Sequence, residues 1–205
     1  MKLNLPNKIT LVRMALSFII LIIMIVPFDQ LGFDFPLYYA ADILIDSKYI
    51  LVGILFLIGS ITDAVDGYIA RSRNLVTDLG KTMDAIADKV LTNGLLIALA
   101  YERVIPLFIP VVIVTRDIIT DSCKSVVGSK AKVVAASKIG KLKTIFVMTG
   151  LTLVLFYDLP ISLLDINIGE ILLLIGTLLS IISGAEYVKN SLPIIIDEKS
   201  TKRKK

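Results

Sequence analysis

Four aspartates within one short stretch are the residues of this chain best suited to chemistry. Asp63 and Asp66 stand three residues apart, and Asp84 and Asp88 stand four apart. At about 100° per residue, either spacing places its two carboxylates on one face of a helix. Ser72, Arg73, Asn74 and Gly80 between the pairs suit a short hairpin loop, which brings the two faces together. Four converging carboxylates repel one another, and divalent cations relieve that repulsion. The chain has no histidine and a single cysteine, Cys123, so the ligands must be oxygens, which suits Mg²⁺, Mn²⁺ or Ca²⁺. Two such ions can orient and neutralise phosphate groups in an in-line displacement. Gly67 and Ala70 keep the helix surface low enough for a bulky ligand to approach. Arg71, one turn beyond Gly67, can pair with a phosphate. Helix ends that only carry paired or snorkelling charges do not need four aligned acids.

The elements that must position these residues are apolar. Hydrophobic residues make up 56% of the 205 positions, against about 45–50% in soluble domains, and the mean hydropathy is +0.83. The apolar residues lie in long runs between short charged clusters. Stretches approaching the ~20 residues that cross a bilayer run from Ile9 to Phe28, Tyr49 to Ile69, Asp84 to Ala100, Ile105 to Val126, Lys143 to Tyr157 and Ile168 to Val188. The expected fold is therefore all-α, a polytopic membrane protein of six transmembrane helices with a polar active-site cavity facing the cytoplasm. It forms one domain over residues 1–205, with a basic tail at about 197–205. The first helix is expected after Pro6 with Thr10 as its cap. No small-residue cleavage site follows its apolar run, which makes it an uncleaved anchor rather than a signal peptide. The fifth stretch is short and is expected to begin earlier, near Ser137.

Charge sets the orientation. Of 22 basic residues, only Lys48 and Arg103 fall in the proposed outer segments, which carry Asp29, Asp34, Asp42, Asp46, Glu102, Asp158 and Asp165. Basic residues mark the cytoplasmic side, so both termini and the loops at 71–81 and 127–142 belong in the cytoplasm of a multi-pass cell-membrane protein. The segment from Asp29 to Lys48, with Phe33, Phe35, Tyr38 and Tyr39, is expected along the outer interface. The net charge of +4 on so apolar a chain speaks for anionic lipid or substrate, not for nucleic acid, because the basic residues sit in short loops without aromatics. A non-catalytic ion-site membrane protein is the alternative from another class. Its charges would be expected at the midplane, whereas these aspartates gather at one interface.

The stretch Asp63-x2-Asp66-Gly67-x2-Ala70-Arg71-x8-Gly80-x3-Asp84-x3-Asp88 resembles the complete signature of the CDP-alcohol phosphatidyltransferases, with all eight defined positions present at the family's spacing. The resemblance implies two Mg²⁺ or Mn²⁺ ions held by Asp63, Asp66, Asp84 and Asp88. It implies that Asp88 is the general base for an acceptor hydroxyl, which attacks the β-phosphorus of a CDP-linked lipid and releases CMP. It also places Asp63, Gly67, Ala70, Arg71, Thr77 and Gly80 at the CDP-lipid, and it carries the expectation of a homodimer.

More of the chain is similar to the branch of that family that makes phosphatidylglycerophosphate from CDP-diacylglycerol and glycerol 3-phosphate. The opening Asn4-Leu5-Pro6-Asn7-Lys8-Ile9-Thr10-Leu11-Val12-Arg13 resembles that branch, which implies Asn7 and Thr10 beside the cytidine diphosphate and Arg13 near the acceptor. Arg116-Asp117 resembles its Arg-acid pair, and Ser137 to Thr144 resembles its Gly-Lys-x-Lys-Thr segment. The glutamine that often follows that threonine by three residues is Val147 here. Arg116, Lys138, Lys141 and Lys143 gather positive charge on the side of the aspartates, which suits an acceptor bearing a phosphate. Inositol phosphate, serine and phosphatidylglycerol are the other acceptors that the same metal motif serves.

Overall fold

The computed structural model describes residues 4–40, 43–72, 77–130, 137–159 and 167–196; within these, the side chains of Leu5, Ala40, Ile43, Ala64, Asp66, Ala70, Arg71 and Asp78 lie outside the description. The expected elements appear as six helices: α1 (Leu5–Ile25), α2 (Ser47–Ser72), α3 (Asp78–Tyr101), α4 (Phe108–Ser129), α5 (Lys138–Leu155) and α6 (Ile168–Ile196).

Local chemistry explains where the helices begin. Pro6 lies in the first turn of α1, where its missing N–H breaks no intrahelical bond. Thr10, expected as the cap, is instead a turn inside the helix, and its hydroxyl donates to the Pro6 carbonyl at 3.1 Å. Thr77 caps α3 by accepting from the Gly80 N–H at 3.0 Å, and Ser137 caps α5 by accepting from the Gly140 N–H at 3.1 Å. The earlier start expected for the fifth segment is therefore found. α6 is held at both ends: Asp158 Oδ1 accepts from the Gly169 N–H at 2.6 Å, and Lys130 Nζ donates to the Ile194 and Ile195 carbonyls at 2.9 and 2.7 Å. These contacts satisfy groups that a helix terminus leaves without partners.

The all-α expectation misses one feature. Between α1 and α2 lie a 3₁₀ turn at Phe28–Leu31 and an antiparallel hairpin of β1 (Leu37–Ala40) and β2 (Ile43–Asp46), with Leu37 opposite Asp46 and Ala40 opposite Ile43. Tyr38, Tyr39 and Ile45 are strand formers. The hairpin is tied to the segment just past α5, where the Asp46 N–H donates to the Tyr157 hydroxyl at 2.8 Å; beside it, Lys48 Nζ at the start of α2 pairs with Glu102 Oε1 at the end of α3 at 3.1 Å.

Among the described residues, three helices are long and apolar enough to cross a membrane: Pro6–Ile25, Ser47–Ile69 and Ile168–Ile196. α3, α4 and α5 carry more charge along their length, and those charges build the site described below. α1 packs on α2 and α3, and α6 packs on α4 and α5. Ile20, Phe56, Leu95, Leu99, Ile113, Leu151 and Leu173 form a continuous buried core. Many large apolar residues point outward, among them Val12, Phe18, Ile25, Ile61, Ile118, Ile145, Leu178 and Ile182. An apolar exterior on this scale suits lipid as the neighbouring medium.

Small residues let the helices approach. A Cβ on Gly150 would stand 2.9 Å from the Gly169 carbonyl oxygen, and one on Gly176 would stand 2.7 Å from Val147 Cγ2. Such close backbone approach is how helices associate in lipid, where no hydrophobic effect drives them together.

Candidate active site

Three helices supply the acidic end of the site. Asp63 comes from the last third of α2, while Asp84 and Asp88 lie one turn apart on α3. Arg13 of α1 reaches between them: its Nη1 pairs with Asp63 Oδ1 and its Nη2 with Asp84 Oδ1. The Arg13 side chain is only 1% exposed, whereas Asp63 and Asp84 are 44% and 50% exposed. The sequence reading groups Arg13 with the acceptor-side cations; the structure sets its guanidinium among the carboxylates. Asp66 and Arg71 share α2 with Asp63, but their side chains, like that of Ala70, lie outside the description.

The first turns of α1 and α3 meet beside this cluster. Asn7 is buried and donates through Nδ2 to Thr77 Oγ1 at 3.3 Å. Gly80 faces both: a Cβ there would lie 2.5 Å from Asn7 Oδ1 and 2.9 Å from Thr77 Oγ1. The glycine is thus required by its neighbours. Asn7, Thr77 and Gly80, all expected at the CDP-lipid, are brought together at a helix N-terminus, the end that favours anions. Thr10 is buried a turn further along α1.

The basic end is built by α4, α5 and α6. Arg116 Nη1 donates to Asp117 Oδ1 at 3.0 Å, and Arg116 Nη2 donates to Ser183 Oγ at 2.8 Å. Lys143 Nζ donates to Asp117 Oδ1 at 3.1 Å, and Asn93 Nδ2 donates to Asp117 Oδ2 at 3.5 Å. Asp117 therefore organises two of the expected acceptor residues. Gly184 makes room for the arginine, since a Cβ there would stand 2.7 Å from Arg116 Cγ.

A cavity of about 580 Å³ opens at the basic end and reaches Asp88; Asp88, Arg116, Lys141 and Lys143 all line it, together with Asn93, Asp117 and Ser183. Lys138 is exposed at the start of α5 and does not line it, nor do Asp63, Asp84 and Arg13. Lys89 pairs with Asp121 on the cavity wall. The sequence reading misses Asn93 and Ser183 and gives Asp117 no role of its own. A signal for Ser183 is present in α6, where Thr177, Ser180, Ser183 and Ser191 are all buried along a mostly apolar helix. Polar residues at helical spacing in such a run mark the face turned to the protein.

The donor set is compatible with a hard divalent cation. Asp63 and Asp84 come from different helices, yet each offers an oxygen to the same cationic group, so their carboxylates converge on one position. Among the described residues no three Asp, Glu, Cys or His side chains are grouped closely enough to hold an ion. The fourth expected ligand, Asp66, lies outside that description.

Fold and site together define a mostly helical protein with apolar helices that suit a membrane and a polar cavity lined by Asp88 and by basic residues of α4 and α5. The sequence model of the CDP-alcohol phosphatidyltransferase family matches residues 3–182, and the chain belongs to that family. It is similar to the CDP-diacylglycerol–glycerol-3-phosphate 3-phosphatidyltransferase of Bacillus subtilis (strain 168), with 38% identity over 184 residues covering 90% of this chain and 93% of that protein. The protein of the same name from Rickettsia typhi (strain ATCC VR-144 / Wilmington) is 33% identical over 187 residues, covering 91% of this chain and 96% of its own length. The one from Mycoplasma genitalium (strain ATCC 33530 / DSM 19775 / NCTC 10195 / G37) is 39% identical over 112 residues, 55% of this chain and 48% of that protein.

Proposed function

We propose that this protein transfers the phosphatidyl group of CDP-diacylglycerol to the hydroxyl of glycerol 3-phosphate, giving phosphatidylglycerophosphate and CMP in phospholipid biosynthesis. The observation that carries the reading is a shared cavity in which Asp88 faces the same space as Arg116, Lys141 and Lys143. A base and a phosphate-binding cluster in one space suit an acceptor that carries both a reactive hydroxyl and a phosphate. The activity in the names of the relatives from Bacillus subtilis and Rickettsia typhi agrees with it.

Asp88 takes the proton of the acceptor hydroxyl. The freed oxygen bonds to the lipid-side phosphorus of the donor, and the bond from that phosphorus to the bridging oxygen breaks. CMP departs with the electron pair. Asp63, Asp66, Asp84 and Asp88 would hold two Mg²⁺ or Mn²⁺ ions, which would supply charge neutralisation at the diphosphate and a lowered hydroxyl pKa. Asn7, Thr10, Thr77 and Gly80 hold the nucleotide end at the start of α3, and Gly67, Ala70 and Arg71 of α2 are the further residues assigned to the donor. Arg116, Lys141 and Lys143 fix the acceptor phosphate, and Lys138 adds charge at the entrance.

All six helices cross the cell membrane, with both termini and the cavity on the cytoplasmic side. The outward apolar residues of α3, α4 and α5, such as Ile86, Ile97, Ile118 and Ile145, support this, as does the placement of basic residues. The chain is one domain and works as a homodimer. In a Cys123→Ser background, Ser129→Cys should react with an impermeant maleimide only from the cytoplasmic side, and Tyr39→Cys only from outside.

The decisive experiment measures CMP release by purified protein in detergent, with CDP-diacylglycerol, Mg²⁺ or Mn²⁺, and one acceptor at a time. Release with glycerol 3-phosphate alone is expected. Release only with another alcohol replaces the product, and silence from folded protein with every acceptor overturns the transferase reading.

A further inference from the structure

Arg13 places a full positive charge on a helix apolar enough to cross a membrane, with its side chain 1% exposed. An arginine in such a helix is costly unless paired. Its two partners are Asp63 on α2 and Asp84 on α3, while Arg13 Nε, also buried, has no hydrogen-bond partner among the described residues. The guanidinium therefore ties three helices to one point through its two terminal nitrogens. Ser17 Oγ donates to the Arg13 carbonyl at 2.9 Å one turn on.

The oxygens that Arg13 engages belong to carboxylates that the proposed function assigns to divalent cations, and the inference rests on that assignment. A guanidinium and a divalent ion a few ångströms apart repel strongly in a partly desolvated site. Their occupancies are therefore linked: whatever favours one disfavours the other by the same factor.

We propose that Arg13 is a positioning residue that stands in for the metal. In the ion-free protein it neutralises Asp63 and Asp84 and keeps α2 from splaying away from α3. Binding of a divalent cation displaces it. Arg13 thereby weakens divalent binding and keeps the carboxylates converged while no ion is present. Without it, the metal-free acid cluster would be held open by its own repulsion.

The test uses the full chain in detergent with Mn²⁺ as the probe, its free fraction read by electron paramagnetic resonance. Arg13→Gln should bind Mn²⁺ about tenfold more tightly than wild type, because the competing charge is gone. Arg13→Lys, which keeps the charge, should stay within about threefold of wild type. The rise in thermal midpoint from EDTA to Mn²⁺ should be larger in Arg13→Gln than in wild type. Equal or weaker Mn²⁺ binding by Arg13→Gln overturns the stand-in role and leaves the metal assignment intact. If no protein, wild type included, binds Mn²⁺, both readings fall. Should Arg13→Gln fail to fold, the wild type decides. Modification of Arg13 by phenylglyoxal, mapped by mass spectrometry, should speed up several-fold when Mn²⁺ replaces EDTA, and an unchanged rate overturns the proposal.

Discussion

Lys143 of α5 reaches Asp117 of α4, with Nζ 3.1 Å from Oδ1 and 3.4 Å from Oδ2. Both side chains are largely buried, at 11% and 14% exposure. The same carboxylate also receives Arg116. Two cations that line the cavity are thus preset around one internal anion, which fixes their direction and leaves a net positive charge for a phosphate.

Removing that anion should cost stability before it costs chemistry. Asp117→Asn strands Lys143, and breaking one partner of a buried pair typically costs about 3–5 kcal/mol. The thermal midpoint in detergent should fall clearly. Asp117→Leu combined with Lys143→Met should regain part of the loss, since only Arg116, which keeps its contact to Ser183, is then left without the carboxylate. Equal losses in the single and double variants would show that the two residues are not coupled.

Asp88→Asn should reduce turnover by about 10²–10⁴-fold, the range a general base contributes. Some metal-dependent binding of CDP-diacylglycerol should survive, measured by equilibrium binding in detergent. Turnover at the wild-type rate removes Asp88 from the role of base.

Arg116→Ala should raise the KM for glycerol 3-phosphate by about tenfold or more, from the loss of a charge-assisted contact. The KM for CDP-diacylglycerol should change far less. A parallel rise in both constants assigns Arg116 to holding α4 against α6 through Ser183.

Gly80→Ala adds a methyl group 2.5 Å from Asn7 Oδ1. Alanine is the better helix former by about 1 kcal/mol, so propensity alone favours the variant. Crowding of Asn7 and Thr77 should nonetheless raise the KM for CDP-diacylglycerol. An unchanged KM separates this corner from the donor.

Gly150→Ala meets backbone: the new Cβ would stand 2.9 Å from the Gly169 carbonyl oxygen. Overpacking of this kind costs about 1–3 kcal/mol. The thermal midpoint should drop with no change in either KM.

What could be read from the sequence follows from the range of each interaction. The aspartate pairs declare themselves because helical spacing fixes which residues share a face, and the long apolar runs declare the helices that carry them. The caps at Thr77 and Ser137 are equally local. Arg13 is different. Its partners lie 50 and 71 positions away, and nothing in the residues near it distinguishes a bridge between carboxylates from a hand extended to substrate. Asp117 next to Arg116 looks like a simple neighbouring pair, and its hold on Lys143 emerges only when α4 and α5 pack. The β1–β2 hairpin hides for another reason: four-residue strands leave too short a pattern to outweigh six long apolar segments.

The glycine seam between α5 and α6 has a consequence for how this chain can change over time. Gly150, Gly169 and Gly176 have no room for a single methyl group beside the opposing chain, whereas Ile145, Leu178 and Ile182 face outward and need only remain apolar. Drift among descendants should therefore run quickly wherever the neighbour is lipid and stall wherever it is backbone. Two copies that diverged long ago would keep the same dents and replace almost every bump.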